Sequence, residues 1–137
     1  SLFAHDKNRQ YNNLGAATLK LNQQSKTATI VVKKNVRWSD GKPVTAKDVE
    51  YAYEILANSK VNTTMYNSNL EDLKGVSEYH HGKTNKISGI ELPDGPNGKK
   101  VVLHFKEMVP AMLEVGNSYI WNYAAPYHYL KMFRLIN

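Results

Sequence analysis

Val36-Arg37-Trp38-Ser39-Asp40-Gly41-Lys42-Pro43-Val44-Thr45-Ala46-Lys47-Asp48-Val49 passes from a strand-like end through a tight reversal into a helix. Asp40-Gly41 favours left-handed turn geometry, and Pro43 fixes φ before the next element. Thr45 is a good N-cap. Asp48 stands three residues on, a capping-box spacing with Asp in place of the usual Glu. Val49, Ala52, Tyr53 and Leu56 then follow at i, i+3, i+4 and i+7, which puts them on one stripe facing a core. Asn58-Ser59 is expected to end the helix.

Upstream, Ala16 to Leu21 and Lys26 to Lys33 are short runs carrying β-branched residues, with polar Asn22-Gln23-Gln24-Ser25 between them. They read as a hairpin in which Ala28, Ile30 and Val32 share one face and Thr27, Thr29 and Val31 the other. Downstream, Val61 to Asn69 is polar and irregular, and Leu70, Leu73 and Val76 suggest short helical turns up to His80-His81-Gly82. Ile87 to Leu92 and Lys100 to Lys106 read as a second hairpin around Pro93-Asp94-Gly95-Pro96-Asn97-Gly98. Pro110 opens a short helix, Ala111 to Val115, closed by Gly116. An aromatic-rich stretch, Tyr119 to Tyr129, is broken by Pro126. The pattern is α+β: antiparallel β-hairpins packed with short helices, expected to form one unit over residues 1–137.

The 137 residues carry 18 Lys+Arg against 12 Asp+Glu, a formal charge of +6, and no cysteine. No apolar run approaches the ~20 residues of a membrane span. The absent cysteines exclude a disulfide scaffold and a thiolate zinc site. Net positive charge invites a basic nucleic-acid or polyanion-binding reading, but the lysines occur singly or in pairs (Lys33-Lys34, Lys99-Lys100), whereas a nucleic-acid footprint concentrates charge on one helix or stripe. The chain starts at Ser1 with neither initiator Met nor signal segment, so it reads as a piece of a longer chain.

No reaction constellation is present: no phosphate loop, no paired HExxH histidines, no nucleophile elbow. His80 and His81 are adjacent and point apart on a helix, a poor ligand pair, and no metal or other cofactor is expected. His104 falls on the polar face of its strand. Glu71-Asp72 reads as an exposed helical turn rather than an acid/base couple. Catalysis is therefore not expected. Tyr66 is different, because it sits in a polar segment with no periodic reason for burial, and exposed loop aromatics serve binding.

The quoted stretch, preceded by the strand Ala28-Thr29-Ile30-Val31-Val32-Lys33, closely resembles the signature of the bacterial oligopeptide/dipeptide-binding proteins, the family 5 extracytoplasmic solute-binding proteins of ABC importers. Weaker agreement continues through Tyr51 to Leu56, the strand pair around Ile87 to Phe105, the Glu107-Met108-Val109-Pro110 turn, and Ala125-Pro126-Tyr127-His128, which looks like the family's proline-histidine element. The resemblance covers most of residues 16–131. It implies folding roles for the motif: Trp38 packs under the turn, Asp40 and Gly41 reverse the chain, Pro43 sets the entry, and Thr45 with Asp48 starts the helix.

Family members are several times longer, with two lobes closing over a peptide. By this resemblance the chain is the extra subdomain of the first lobe, and Tyr66 occupies a position where the family presents an aromatic to the ligand. The implied partners are an oligopeptide and ABC permease subunits, with no nucleic acid. The implied location is extracytoplasmic, as a cell-surface lipoprotein or in the periplasm, with membrane contact only through a lipid anchor outside this chain. Residues 132–137, Met132-Phe133-Arg134-Leu135-Ile136-Asn137, resemble nothing in the family and are expected to be a disordered or non-native tail.

Overall fold

A computed structural model describes residues 1–61 and 64–130. The tail expected at residues 132–137 lies outside the described residues. The chain opens with a two-stranded ribbon, β1 (Ala4–His5) against β2 (Tyr11–Asn12), which the sequence pattern did not foretell. Next come β3 (Ala17–Asn22) and β4 (Thr27–Val32), paired antiparallel from Ala17↔Val32 to Asn22↔Thr27. The first hairpin is the one expected, its connection moved one residue along because Asn22 still pairs with Thr27.

Helix α1 (Ala46–Ala57) starts after Thr45 and ends at Asn58. Its predicted stripe is buried: Val49, Ala52, Tyr53 and Leu56 are each no more than 5% exposed. A short 3-10 helix (Ser68–Asp72) and α2 (Val76–His80) follow, with Leu70, Leu73 and Val76 buried as their spacing requires. The second hairpin joins β5 (Ile90–Glu91) to β6 (Lys100–His104). Both strands are shorter than expected. At Gly89 a Cβ would lie 2.4 Å from the Lys74 carbonyl oxygen; that close crossing, in which Gly89 N–H donates to Lys74 O at 2.8 Å, replaces regular pairing before β5. Pro110 opens a single 3-10 turn, Pro110–Leu113, rather than an α-helix to Val115, and α3 (Tyr127–Leu130) follows Pro126.

The strand order β3-β4-β6-β5 makes one antiparallel sheet from the two hairpins. β4 and β6 are central, in register from Thr27↔His104 to Val31↔Lys100, although residues 33–99 separate them in sequence. Alternation along β4 and β6 puts Ala28, Ile30, Val32, Val101 and Leu103 on one face, where each is at most 1% exposed and joins Val49, Tyr53 and Leu56 of α1 in a single apolar cluster. The N-terminus of α1 is held by the second hairpin's turn: Ala46 N–H donates to Gly98 O at 2.8 Å and Lys47 N–H to Pro96 O at 3.0 Å. These are first-turn donors that have no partner within their own helix.

Candidate functional site

The reversal after β4 is built from short-range hydrogen bonds. Trp38 N–H donates to Lys42 O at 2.8 Å, Gly41 N–H to Trp38 O at 2.9 Å, and Asp40 Oδ1 accepts from Lys42 N–H at 3.0 Å. Gly41 has φ +86°, the left-handed geometry that Asp-Gly favours, with nothing within 4 Å of where a Cβ would stand. Pro43 is exposed and bridges back to Arg37.

Asp48 gathers this turn, the helix start and the C-terminal segment. It is 3% exposed. Its Oδ2 accepts from Trp38 Nε1–H and from Thr45 N–H, each at 2.9 Å, and its Oδ1 accepts from Tyr127 N–H at 3.0 Å. Its backbone carbonyl accepts from Ala125 N–H at 2.9 Å. Beside it, Asp40 Oδ2 lies 2.7 Å from His128 Nε2, and that contact holds the Asp40 carboxyl below the usual aspartate range. The signature turn and the proline-histidine element are therefore one assembly. Local spacing identifies Asp48 as a helix-start residue, but its link to Tyr127 depends on the tertiary fold. Trp38 is half-buried rather than enclosed.

Lys47 fastens the same two elements. Its ammonium contacts Glu50 at 3.0 Å and Glu54 at 2.8 Å and lies 4.9 Å from the centre of the Tyr127 ring, which meets Tyr51 edge-on at 5.0 Å. Burial alone would lower the Lys47 pKa; the two carboxylates outweigh it and leave it raised.

Tyr66 is half-buried and occupied. Its ring stacks on His80 with centroids 3.9 Å apart and planes 9° from parallel, and its hydroxyl donates to Glu71 Oε2 at 2.8 Å. Burial, then the Glu71 carboxylate, push this hydroxyl well above the ordinary tyrosine range. His80 Nδ1 lies 2.8 Å from Ala57 O, the end of α1, so the stack is braced from the helix. Glu71 and Asp72 are correspondingly half-buried instead of an exposed turn: Asp72 Oδ1 accepts from Glu107 N–H at 3.2 Å, and burial raises its pKa.

Successive residues around Tyr66 line two separate depressions. Tyr66 and His80, with Leu56, Asn58 and Lys60, line one of about 400 Å³. Its sequence neighbours Met65 and Asn67, with Leu70, Ile120, Trp121 and Tyr123, line another of about 250 Å³. Met65 and Tyr123, which line this depression, are large apolar side chains 49% and 50% exposed. Sequence pattern marks Trp121 as a core position and gives no signal for Tyr123; the fold holds Trp121 through the buried Tyr53 hydroxyl, which accepts from Trp121 N–H at 3.0 Å, and sets Tyr123 beside it with ring centres 5.3 Å apart. His80 and His81 meet edge-on, His104 pairs with Glu91 at 2.9 Å on the polar face of β6, and among the described residues no three His, Cys, Asp or Glu converge on a metal position. No helix among them is long and apolar enough to cross a membrane.

A family-wide sequence description, bacterial extracellular solute-binding proteins, family 5 Middle, matches residues 11–132. The chain belongs to family 5 of the bacterial extracellular solute-binding proteins. Within family 5 it is 46% identical over 130 residues to the oligopeptide-binding protein OppA of Lactococcus lactis subsp. cremoris, covering 95% of this chain and 22% of that protein. The structure of lactococcal OppA, complexed with an endogenous peptide in the closed conformation, superposes with a TM-score of 0.94 at 46% identity over 96% of this chain and 24% of its own. Haemophilus influenzae OppA in complex with RPPGFSPFR shares the fold at a TM-score of 0.74 and 24% identity, over 97% of this chain and 26% of its own. The chain thus spans about a fifth of the length of the curated family 5 relative it matches.

Proposed function

We propose that this chain is the extra subdomain of the first lobe of a family 5 protein that captures oligopeptides outside the cytoplasm and hands them to an ABC permease. The observation that carries this reading is 46% identity sustained over 95% of the chain to an oligopeptide-binding protein. The run Met65-Tyr66-Asn67, with Trp121 and Tyr123 lining the same depression as Met65 and Asn67, forms the part of the cleft wall contributed here. Tyr66 reaches a ligand as a rigid aromatic surface, because His80 and Glu71 already fix its ring and hydroxyl. The protein acts as a non-enzymatic carrier, placed as a cell-surface lipoprotein or in the periplasm, and residues 1–137 behave as one folding unit.

One wall of a cleft cannot desolvate a peptide, so calorimetric titration of the 137-residue chain should give no micromolar affinity. In a full-length protein carrying this stretch, Tyr66→Ala should weaken peptide binding by about tenfold, as loss of an aromatic anchor does. Tyr66→Phe should change it by less than about threefold, since the hydroxyl is spent on Glu71. An unchanged affinity for Tyr66→Ala would remove Tyr66 from the ligand wall; failure of the full-length protein to bind any peptide would overturn the reading itself. The nucleic-acid alternative draws no support from the family match.

A further inference from the structure

Two lysine pairs that are far apart in sequence become neighbours in the fold. β4 runs out into Lys33-Lys34 and β6 begins at Lys100; Val31 stands opposite Lys100, and Val32 N–H donates to Lys99 O at 2.8 Å. Pairing of the central strands therefore brings both basic pairs to one end of the sheet. Thr18–Val31–Lys100 and Lys20–Thr29–Val102–Glu91 are successive cross-strand rows on the face away from α1, so Lys20 extends the same patch and Glu91 stands at its far edge. Short uncharged side chains, Thr18, Thr29, Val31 and Val102, separate the lysines.

None of these five lysines forms an ion pair among the described residues. Lys33 and Lys99 donate to the neutral carbonyls of Asn13 and Val44, which steady the ammonium groups without cancelling their charge. Lys20, Lys34 and Lys100 are exposed. Glu91, at the edge of this face, carries a negative charge 2.9 Å from His104 rather than against any of the five lysines. Asp94, in the exposed turn before Lys99, offsets one of the five charges.

The chemistry of the patch selects its partner. Lysine ammonium groups are hydrated point charges on flexible stems, suited to diffuse attraction toward a charged surface rather than to shaped recognition. β3, β4 and β6 carry no Phe, Tyr or Trp, so the face offers no stacking platform for nucleic-acid bases. We propose that the Lys20/Lys33/Lys34/Lys100 patch, with Lys99 at its edge, docks this protein on an anionic phospholipid surface. The choice of a membrane rests on the extracytoplasmic delivery reading above, and it adds a contact beyond the lipid anchor expected from the sequence. Such docking orients a carrier at the membrane where its permease lies.

Vesicle flotation tests the proposal with the 137-residue protein and no peptide. Binding is expected to vesicles of phosphatidylglycerol and phosphatidylcholine at about 0.05 M NaCl and to be lost at about 0.5 M, where the screening length falls to a few ångström. Vesicles of phosphatidylcholine alone should capture none. The triple variant Lys33→Gln/Lys34→Gln/Lys100→Gln should lose roughly a hundredfold in partitioning, roughly fivefold per lysine. Lys7→Gln/Lys74→Gln/Lys83→Gln removes the same charge elsewhere on the surface and should change partitioning by less than about fivefold in total. Circular dichroism melts confirm that both variants are folded.

Equal losses in the two triple variants, binding that survives high salt, or no binding to anionic vesicles would each overturn the proposal. Tighter binding to duplex DNA than to anionic vesicles at the same salt would overturn it in favour of a nucleic-acid surface. The peptide titration of the full-length protein is independent of every one of these outcomes, so either reading can fail alone.

Discussion

Trp38 donates its indole N–H to the Asp48 carboxylate across 2.9 Å, so a residue of the turn that packs against the core also fixes the residue that starts the helix. The same carboxylate binds Tyr127 N–H at 3.0 Å. One buried acid therefore satisfies donors from three segments, and removing it leaves all three donors without their acceptor.

Asp48→Ala should be among the most damaging single substitutions in the chain. Each buried donor left unpaired costs about 1–3 kcal/mol, so a loss of about 3–5 kcal/mol is expected for the set, read as a lowered urea midpoint. Asp48→Asn, which replaces one acceptor oxygen by a donor, should lose roughly half as much. A midpoint unchanged in both variants would show that the three contacts carry no net stability.

Trp38 allows the packing and hydrogen-bonding contributions to be separated. Trp38→Phe keeps a ring and loses the bond to Asp48, with an expected cost of about 1–2 kcal/mol. Trp38→Ala also removes the half-buried area and should cost about 3 kcal/mol, the low end for a large aromatic. Thermal melts of the two variants should therefore differ, and coincident melts would assign the whole effect to the hydrogen bond.

These residues also mark what local pattern could and could not reveal. The capping-box spacing, the Asp40-Gly41 turn, the Val49–Leu56 stripe and the alternation along β4 are all determined within a few residues, and all were legible. The pairing of β4 with β6, the reach of Asp48 to Tyr127 and the meeting of Lys33-Lys34 with Lys99-Lys100 join positions tens of residues apart. Such contacts are set by topology rather than by periodicity. Tyr66 has no periodic reason to be buried; it is half-buried all the same, because His80 and Glu71 reach it from other elements.

The Asp40–His128 contact makes part of the stability depend on acid. The folded-state pKa of Asp40 is depressed, by the His128 hydrogen bond first and the Lys42 backbone second. A depressed carboxyl contributes stability that is fully present above the unfolded pKa of about 4 and is lost as pH falls through the lower folded value. Asp40→Asn should thus be less stable than the parent at neutral pH, with the gap closing below about pH 4. Denaturation curves at a series of pH values check this; a gap constant across the acid range would remove the linkage.

Two glycines should respond differently to the same added methyl group. Gly41→Ala meets open space but keeps φ +86°, so about 1 kcal/mol is expected from backbone strain. Gly89→Ala drives a Cβ to 2.4 Å from the Lys74 carbonyl oxygen and must shift backbone, with a cost of about 2–3 kcal/mol. Chemical denaturation ranks the pair, and the reverse order would contradict the close crossing of residues 74 and 89.

The carbonyls of Pro96 and Gly98 that hold the first turn of α1 carry a consequence for the order of events in folding. A polypeptide emerging N-terminus first presents the whole of α1 before its capping partners exist, so the helix cannot complete its N-terminal hydrogen bonds until the second hairpin closes. Helix docking and hairpin closure then share one barrier, and the contacts that limit it are long-range ones, which slow folding. Refolding followed by helix signal and by a probe on the second hairpin should give one common rate; a helix phase that clearly precedes the hairpin would separate the two events.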